Sequence, residues 1–445
     1  MMDEQKLKKI AQKTLALTNA DEAEVVLFVA NRGLTRFANS QIHQNVSLED
    51  LGLSVRVAFG KRIGVASGNS FQGVVLQNVV NRAEAIARLQ KEDPHFRGLP
   101  EARKLPKIKS VVIQAAPQER AQNVSAVIKK AKEKKIIASG AYDSSVTEVA
   151  VANSKGVWAY HAAGASDLST ILIGENSTGF GSQLVKNPAD MRADDVADKA
   201  LAKVISGQNP KDIEPGEYDV VLESQAVNEM MSFFAWLGPN SRLYYEQASP
   251  FSGKLGEKVL GENITIIDSP LDESGFPMPF DFEGVPKQKT EIIKQGKLVN
   301  LTYDSYHAGR FNAKNTGHAL PAPNNSGPIP LHLAFEPGTK SLEEMIKGVK
   351  RGLLVTRLWY VRFLNPRSLS ITGMTRDGTF LIENGEIVHG VRNLRFNQSI
   401  PEALNNVVEI GRDLESVGSF ETELGTNRMP ALHIKNWNFT SGTQF

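Results

Sequence analysis

A strict alternation of residue types from Leu51 to Phe59 is the feature that most constrains the fold. Leucine, valine and phenylalanine take every second position, and glycine, serine, arginine and alanine take the positions between them. A period of two is the repeat of a β-strand with one buried face, and a helix cannot bury such a pattern on one side. Gly60-Lys61 then predicts a turn into a second strand around 63–66, so we expect antiparallel strands here.

Apolar periodicity divides the chain into three predicted domains. Residues 1–92 show a helix, antiparallel strands and a second helix, which predicts an N-terminal helix/antiparallel-sheet domain. Prolines and glycines in 91–106 predict an exposed linker, and residues 107–212 predict a middle α/β domain. Residues 216–445 contain short strands around turn glycines, which predicts a large antiparallel β-rich C-terminal domain. The expected fold class is therefore α+β.

Charge and cysteine content exclude several classes of function. Lys and Arg total 51 and Asp and Glu total 49, and a net charge of +2 gives little general attraction to nucleic acid. The absence of cysteine excludes disulfides, thiolate zinc sites, iron–sulfur clusters and a cysteine nucleophile. No apolar run reaches the length of about 18 residues that spans a bilayer, and the first residues lack the apolar segment of a signal peptide. We expect a cytoplasmic protein without a membrane partner.

One polar segment rich in glycine and proline holds the best candidate site residues. His307 and His318 lie in it, with Asp304 and Arg310 close to the first histidine. One interpretation is a catalytic or metal-binding cluster. The other is that polar loop residues make local hydrogen bonds, because a strong metal motif has a short helical spacing and a further ligand close by. We retain His307, Arg310 and His318 as candidate substrate-binding residues and predict no catalytic residue, metal ligand or cofactor.

Two apolar segments of the C-terminal half are also notable. The first is a predicted helix that follows the strand Tyr218–Leu222, begins after Ser224 as N-cap and ends at Gly238-Pro239. The second is the aromatic stretch Leu358–Leu364, whose one charge is Arg362. Trp, Tyr and Arg dominate protein interfaces, so this stretch is either a subunit interface or a buried strand.

Several separated motifs together resemble one known family, the TldD/PmbA family. They are Leu34–His43, Gly52–Gly64, Asp281–Pro286, the hairpin at Gly296, Asn315–Ala319, Glu336–Gly338 and Asn393–Ser399. The motifs follow the family's order, and the resemblance covers nearly the whole chain. It is weakest over the middle section, 107–212.

The resemblance implies a choice between two branches of the family. The TldD-like branch is a zinc metalloprotease with a helical His-Glu-x-x-x-His motif and a distant cysteine ligand. The PmbA (TldE)-like branch lacks these ligands and pairs with the first in a heterodimer. An ungapped match places Ser232-Phe233 at the His-Glu positions and Leu237 at the second histidine, and no histidine lies between His161 and His307. The chain therefore resembles the PmbA (TldE)-like branch.

Three functional hypotheses follow. The first is a non-catalytic, metal-free subunit that partners a TldD-like zinc metalloprotease in the proteolysis of peptides or unfolded proteins, with a homodimer as a further possibility. The second is a stand-alone peptidase with a site of its own around His307 and His318. The third is a regulatory modulator of DNA gyrase, as an older family name implies. The nearly balanced charge of the chain argues against nucleic-acid binding.

Overall fold

The computed structural model describes residues 1–418 and 426–443. Its helices are α1 (Glu4–Leu15), α2 (Gly73–Leu89), α3 (Pro117–Glu133), α4 (Ala193–Ser206), α5 (Ser224–Leu237), α6 (Ser241–Tyr245), α7 (Ser305–Phe311), α8 (Leu342–Lys347) and α9 (Ile400–Asn405). The strands of the N-terminal half are β1 (Glu22–Ala38), β2 (Gln41–Phe59), β3 (Arg62–Gly68), β4 (Ile137–Asn153), β5 (Trp158–Ile173) and β6 (Thr178–Val185). The strands of the C-terminal half are β7 (Gly216–Leu222), β8 (Ile266–Asp268), β9 (Thr290–Lys294), β10 (Lys297–Leu298), β11 (Leu333–Phe335), β12 (Arg351–Asn365), β13 (Ser370–Glu383), β14 (Glu386–Gly390), β15 (Leu394–Ser399), β16 (Val407–Ile410), β17 (Glu415–Gly418), β18 (Thr426–Met429) and β19 (Leu432–Gly442).

The first sheet joins the N-terminal and middle sections of the chain. Its strand order is β3-β2-β1-β4-β5-β6, and all neighbouring strands are antiparallel. In its centre Val25 of β1 lies opposite Val55 of β2 and Ala152 of β4. One face is covered by helices: Val29 belongs to the core with α1 and α2, and Phe37 to the core with α3 and α4. The two predicted N-terminal domains thus share one sheet, and their boundaries stay a prediction.

The segment 91–106 is only in part the exposed linker that its composition predicts. Phe96 and Leu99 are 7% and 4% exposed, and the Leu99 amide donates a hydrogen bond of 2.6 Å to Glu22 of β1. The expectation of exposure is wrong at these positions because prolines and charges dominate the composition, whereas two apolar side chains anchor the segment to the sheet.

The C-terminal half contributes two further sheets within the described residues. The second sheet has the order β10-β9-β8-β11-β18-β17. In the third sheet the strands follow the order β12-β7-β19-β15-β13, and β13 also pairs with β12, so these strands close into a barrel. Trp437 and Phe396 of the barrel are fully buried, with ring centroids 5.2 Å apart. Closure pairs the five barrel strands with one another, while β14 extends the third sheet beyond β13 and β16 pairs with β19. β6 and β17 are edge strands of the first and second sheets.

Helices and three largely antiparallel sheets confirm the predicted α+β class. Parallel pairing is confined to β7 with β12 and β11 with β18 among the named strands of the described chain. A search of the described residues found no helix with the length and apolar character needed to cross a membrane.

Helix α5 lies inside the largest hydrophobic core. Phe233, Phe234 and Leu237 are 8%, 0% and 7% exposed. The predicted N-cap at Ser224 is wrong, because Ser224 is already helical and the capping position belongs to Glu223. The carboxylate of Glu223 does not cap the helix, since it is held by the Lys203 ammonium at 2.7 Å.

A buried ion cluster attaches the C-terminal half to the first sheet. The Arg56 guanidinium of β2 lies 2.8 Å from Glu24 of β1 and 3.0 Å from Glu283, which belongs to the loop after Asp281. Beside it, Gly284 has a φ of +74° and lies so close to Val157, the residue before β5, that a side chain would collide with it. The open face of the first sheet is thereby covered over part of its length.

Burial of Phe234 makes a direct prediction about stability. We expect Phe234→Ala to lower the free energy of unfolding by about 3–5 kcal/mol, because a fully buried ring is removed and a cavity is left. Trp236→Ala on the same helix is the matched control, since Trp236 is 37% exposed and should cost less than about 1 kcal/mol. Urea denaturation followed by far-UV circular dichroism measures both, and equal losses would contradict the packing described here.

Candidate functional site

A deep groove lies where the three sheets meet. Its volume is about 1350 Å³, and its walls come from β5 and β6 of the first sheet, from α4 and α5, from β12 of the barrel and from β17. The free edges of β6 and β17 both border it. Ligand pockets for small molecules measure about 300–1000 Å³, so this groove is large enough for a polymer.

The α5 wall of the groove is apolar where the resemblance places zinc ligands. Phe233 reaches the groove and packs edge-to-face on Phe363, with centroids 4.7 Å apart. The Ser232 hydroxyl donates to the Asn228 carbonyl at 2.9 Å and is therefore engaged within the helix. Leu237 is buried. Hydroxyl, phenyl and alkyl groups in these positions cannot hold zinc, which requires imidazole, thiolate or carboxylate ligands.

No cluster of three or more His, Asp or Glu side chains suited to a metal ion occurs in the part of the chain that the structure describes. Since the whole sequence lacks cysteine, a thiolate cannot complete such a cluster from outside that part. The residues present at α5 therefore do not fit the zinc ion of the catalytic branch.

The β12 wall of the groove carries a cation that contacts two aromatic rings. The Arg357 guanidinium lies 4.8 Å from the ring centroid of Phe180 of β6 and 4.7 Å from that of Trp359. Its Nε is 2.9 Å from Asp377 of β13, whose side chain is 3% exposed. Burial lowers the pKa of Arg357, although Asp377 opposes the shift. Two aromatic faces and one ion pair hold this guanidinium in one orientation.

The backbone is strained on both strands of this wall. Tyr360 has a φ of +56° and is 67% exposed, and Asp377 has a φ of +54° next to Gly378 at +135°. Both positions coincide with interruptions in the pairing of β12 with β13. A left-handed conformation at an aromatic residue is energetically costly and is found preferentially at functional sites. The predicted aromatic stretch is therefore neither a simple buried strand nor a continuous exposed patch, because Leu358 is buried while Tyr360 is exposed.

The sequence-predicted cluster around His307 lies outside the groove. His307 is 5% exposed, and its Nδ1 is 2.8 Å and 2.9 Å from the two oxygens of Asp304, which also caps α7. Arg310 lies 3.6 Å from Glu246 instead of facing the histidine pair. Their role as substrate-binding residues stays a prediction.

His318 lies in a buried polar cluster. Its Nε2 is 3.1 Å from Asp268, and its Nδ1 is 2.8 Å from the Thr316 hydroxyl. Burial by itself would raise the pKa of Asp268, but the hydrogen bond and charge of His318 and the nearby Lys287 ammonium outweigh it and lower that pKa. The two candidate histidines thus contact two different carboxylates: Asp304 is a local partner of His307, whereas Asp268 lies 50 residues from His318 in the chain.

The sequence did not reveal two groove residues, Arg357 and Phe180, or the Asp377 carboxylate that pairs with Arg357. Arg357, Asp377 and Phe180 are far apart in the chain and meet only through the pairing of β12 with β13 and the approach of β6. A partial signal was present, because Asp377-Gly378 is a turn-type pair flanked by the β-branched residues Thr375 and Thr379.

Family comparisons cover almost the entire chain. The family model described as PmbA/TldA metallopeptidase C-terminal domain matches residues 215–441, domain 1 matches 23–87 and the central domain matches 99–207. The chain belongs to the PmbA/TldD family. The family predicted from the separated sequence motifs is confirmed, including the middle section in which the resemblance was weakest.

Individual PmbA/TldD relatives agree with this assignment. The metalloprotease PmbA homolog of Haemophilus influenzae is 26% identical over 94% of both chains. The metalloprotease PmbA of Escherichia coli O157:H7 is 30% identical over 43% of this chain and 40% of that protein. These relatives support the predicted likeness to PmbA.

Solved structures of the family have the same fold. TldE from Thermococcus kodakarensis matches with a TM-score of 0.86 at 22% identity, over 98% of this chain and 99% of that chain. A Thermotoga maritima protein, whose description includes the words "modulator of a DNA gyrase", matches with a TM-score of 0.84 at 21% identity, over 98% of this chain and 100% of that one. At these identities the likeness shows the fold alone.

Burial of His332, another histidine close to Asp268, predicts that the free energy of unfolding depends on pH. Burial, followed by the Lys287 charge, lowers the pKa of His332 from 6.5 to about 3; Asp268 opposes this shift, and the neighbouring His318 and His161 add to it. The unfolded chain therefore binds a proton at His332 below pH 6.5, whereas the folded chain does not until about pH 3. Stability is lost as the pH falls through this window.

We expect His332 to account for a loss of about 2 kcal/mol in unfolding free energy between pH 7 and pH 5, at about 1.4 kcal/mol per pKa unit. His332→Gln should flatten the pH dependence by that amount, and the exposed His95→Gln should leave it unchanged. Urea titrations at both pH values measure the difference. An unchanged slope in His332→Gln would contradict the neutral, buried state of this imidazole.

Proposed function

We propose that this chain is a non-catalytic subunit that pairs with a TldD-like zinc metalloprotease and helps to bind its peptide or unfolded-protein substrates. The observation that carries the proposal is helix α5, where Ser232, Phe233 and Leu237 occupy the positions that the resemblance gives to the zinc ligands and the general base. Two of the three side chains are buried and apolar, so they contribute packing energy and no metal chemistry.

Partnership is the second part of the proposal. The names of relatives support it. The chain is similar to proteins named PmbA or TldE, and it is also 24% identical, over 51% of its own length, to a metalloprotease TldD homolog of Buchnera aphidicola. A subunit without a metal site can take part in proteolysis only by binding substrate or by completing another subunit's site. The cytoplasm is the compartment that we propose for this pair.

Zinc content tests the metal-free part. We expect the purified chain to hold far less than one zinc ion per chain, and Ser232→His combined with Phe233→Glu and Leu237→His should not create a site, because the cysteine ligand is still lacking. Elemental analysis after dialysis against zinc measures both proteins. About one zinc per chain in the wild type, lost in His307→Ala or His318→Ala, would favour a stand-alone peptidase instead.

Sedimentation tests the partnership. We expect the chain mixed with a TldD-like subunit at micromolar concentration to sediment as a complex, and peptide hydrolysis to require the TldD-like subunit. The chain alone, with and without added zinc, is the control for both measurements. Separate sedimentation of the two proteins, or hydrolysis by the chain alone, would overturn this proposal.

A further inference from the structure

The Arg357 guanidinium on the groove wall has terminal nitrogens without a hydrogen-bond partner among the described residues. The Arg357 side chain is 12% exposed, and its Nε faces Asp377. Its two terminal nitrogens, Nη1 and Nη2, form no hydrogen bond with any residue in 1–418 or 426–443. A guanidinium presents five N–H donors in a planar fork, so most of its donors remain available on the groove side.

The surroundings explain why these donors are preorganised. The guanidinium lies over the rings of both Phe180 and Trp359, and these two contacts restrict its movement. The Asp377 carboxylate lies beside two cations, Arg357 and, at 3.9 Å, Arg376. The negative charges of Asp377 and Glu229 both favour the charged form of Arg357. Fixed donors that are already partly desolvated lose little entropy and little hydration when they bind an acceptor.

The other cations of the groove are engaged in a different way. Lys203 is held by Glu223 at 2.7 Å, and Lys199 by Glu415 at 3.2 Å. A guanidinium fork matches the two oxygens of a carboxylate, which an ammonium ion cannot do. Two further guanidinium groups line the groove and are engaged as well, since Arg32 pairs with Asp143 and Arg362 Nη1 donates to the Val361 carbonyl at 2.6 Å. Among the groove guanidiniums of the described residues, we therefore assign selectivity for a planar anion to Arg357.

Backbone groups complete the site. β6 pairs only with β5 among the described strands, and its other edge borders the groove along Phe180 to Leu184. An extended polypeptide can pair with such an edge through its main chain, whatever its sequence. The exposed Tyr360 ring and the Phe233–Phe363 pair offer apolar contacts nearby.

We propose that the groove binds an extended polypeptide through a carboxylate that docks on the Nη1/Nη2 edge of Arg357, while the chain of the ligand lies along β6. The inference deepens the proposed function, since it rests on the share in substrate binding and names the substrate class. The carboxylate is either the C-terminus of the peptide or an Asp or Glu side chain.

Four fluorescein-labelled ten-residue peptides test the proposal on the full chain. They share one apolar–polar alternating sequence and differ in a central Glu or Gln and in a free or amidated C-terminus. By fluorescence anisotropy, we expect a peptide with the correct carboxylate to bind about ten-fold more tightly than its neutral twin, the ratio that one charge-assisted hydrogen-bond pair provides. The Glu/Gln and acid/amide comparisons identify which carboxylate is used.

Arg357→Lys is the decisive variant, because it keeps the charge and removes the fork. We expect the carboxylate preference to fall below about two-fold, with Arg395→Lys, on the exposed surface of β15, retaining the full preference. Equal binding of all four peptides to the wild type would overturn the inference, as would a preference that persists unchanged in Arg357→Lys.

Hydrogen–deuterium exchange on the wild type gives a second readout if Arg357→Lys fails to fold. The carboxylate peptide should slow amide exchange in β6, and its neutral twin at the same concentration should not. Protection confined to other segments would overturn the inference. Equal binding of the four peptides to the wild type, together with an intact complex with the TldD-like subunit, rejects this inference alone. Carboxylate-selective binding without complex formation rejects only the partner role.

Discussion

The Arg56 guanidinium, held between Glu24 and Glu283, is the interaction on which the arrangement of the molecule depends. Two buried carboxylates share one buried cation, and burial raises the pKa of Glu24 to about 7 even though Arg56 opposes the shift. A buried charge left without its partner costs about 3–5 kcal/mol. The cluster therefore favours the observed attachment of the C-terminal half to the first sheet, because a displaced Glu283 would leave these charges unbalanced.

That attachment creates the groove. The C-terminal half covers only part of the open face of the first sheet, and the edge of β6 is left beside the barrel strand β12 and the edge strand β17. Closure of β12 on β13 completes the barrel, but the strained positions at Tyr360 and Asp377 interrupt the pairing at the groove wall. Binding surfaces in β-rich proteins often arise at such interruptions, where backbone and side chains are not fully used by the sheet.

The groove combines an inert helix with a polar strand. On α5, Phe233 and Leu237 stabilise the core, and neither side chain can bind the zinc ion that a zinc peptidase needs. On β12, Arg357 is oriented by Phe180, Trp359 and Asp377. This contrast is the physical basis for proposing that the chain binds polypeptide without cleaving it. The histidines His307 and His318 are buried with carboxylates of their own and lie away from this surface.

Local patterns in the sequence determined most of the secondary structure. The alternation from Leu51 to Phe59 became part of β2, and Asn384-Gly385 forms a hairpin turn with φ values of +50° and +83°. The absence of cysteine and of any histidine near α5 also followed from the sequence, and with it the absence of the zinc ligands. These features depend on neighbouring residues or on composition, so no tertiary information is needed to read them.

Tertiary structure alone decided the shared first sheet, the closed barrel and the Arg357 site. β1 pairs with β4 across more than a hundred residues of intervening chain, and Phe180 meets Arg357 across a similar separation. Periodicity states that a strand has a buried face, but it does not state which strand is its neighbour. The same limit explains why the sequence pointed to the histidines and not to Arg357. Residue types can be read from a sequence, but whether the Nη1 and Nη2 donors of an arginine have partners depends on the residues that surround it in the fold.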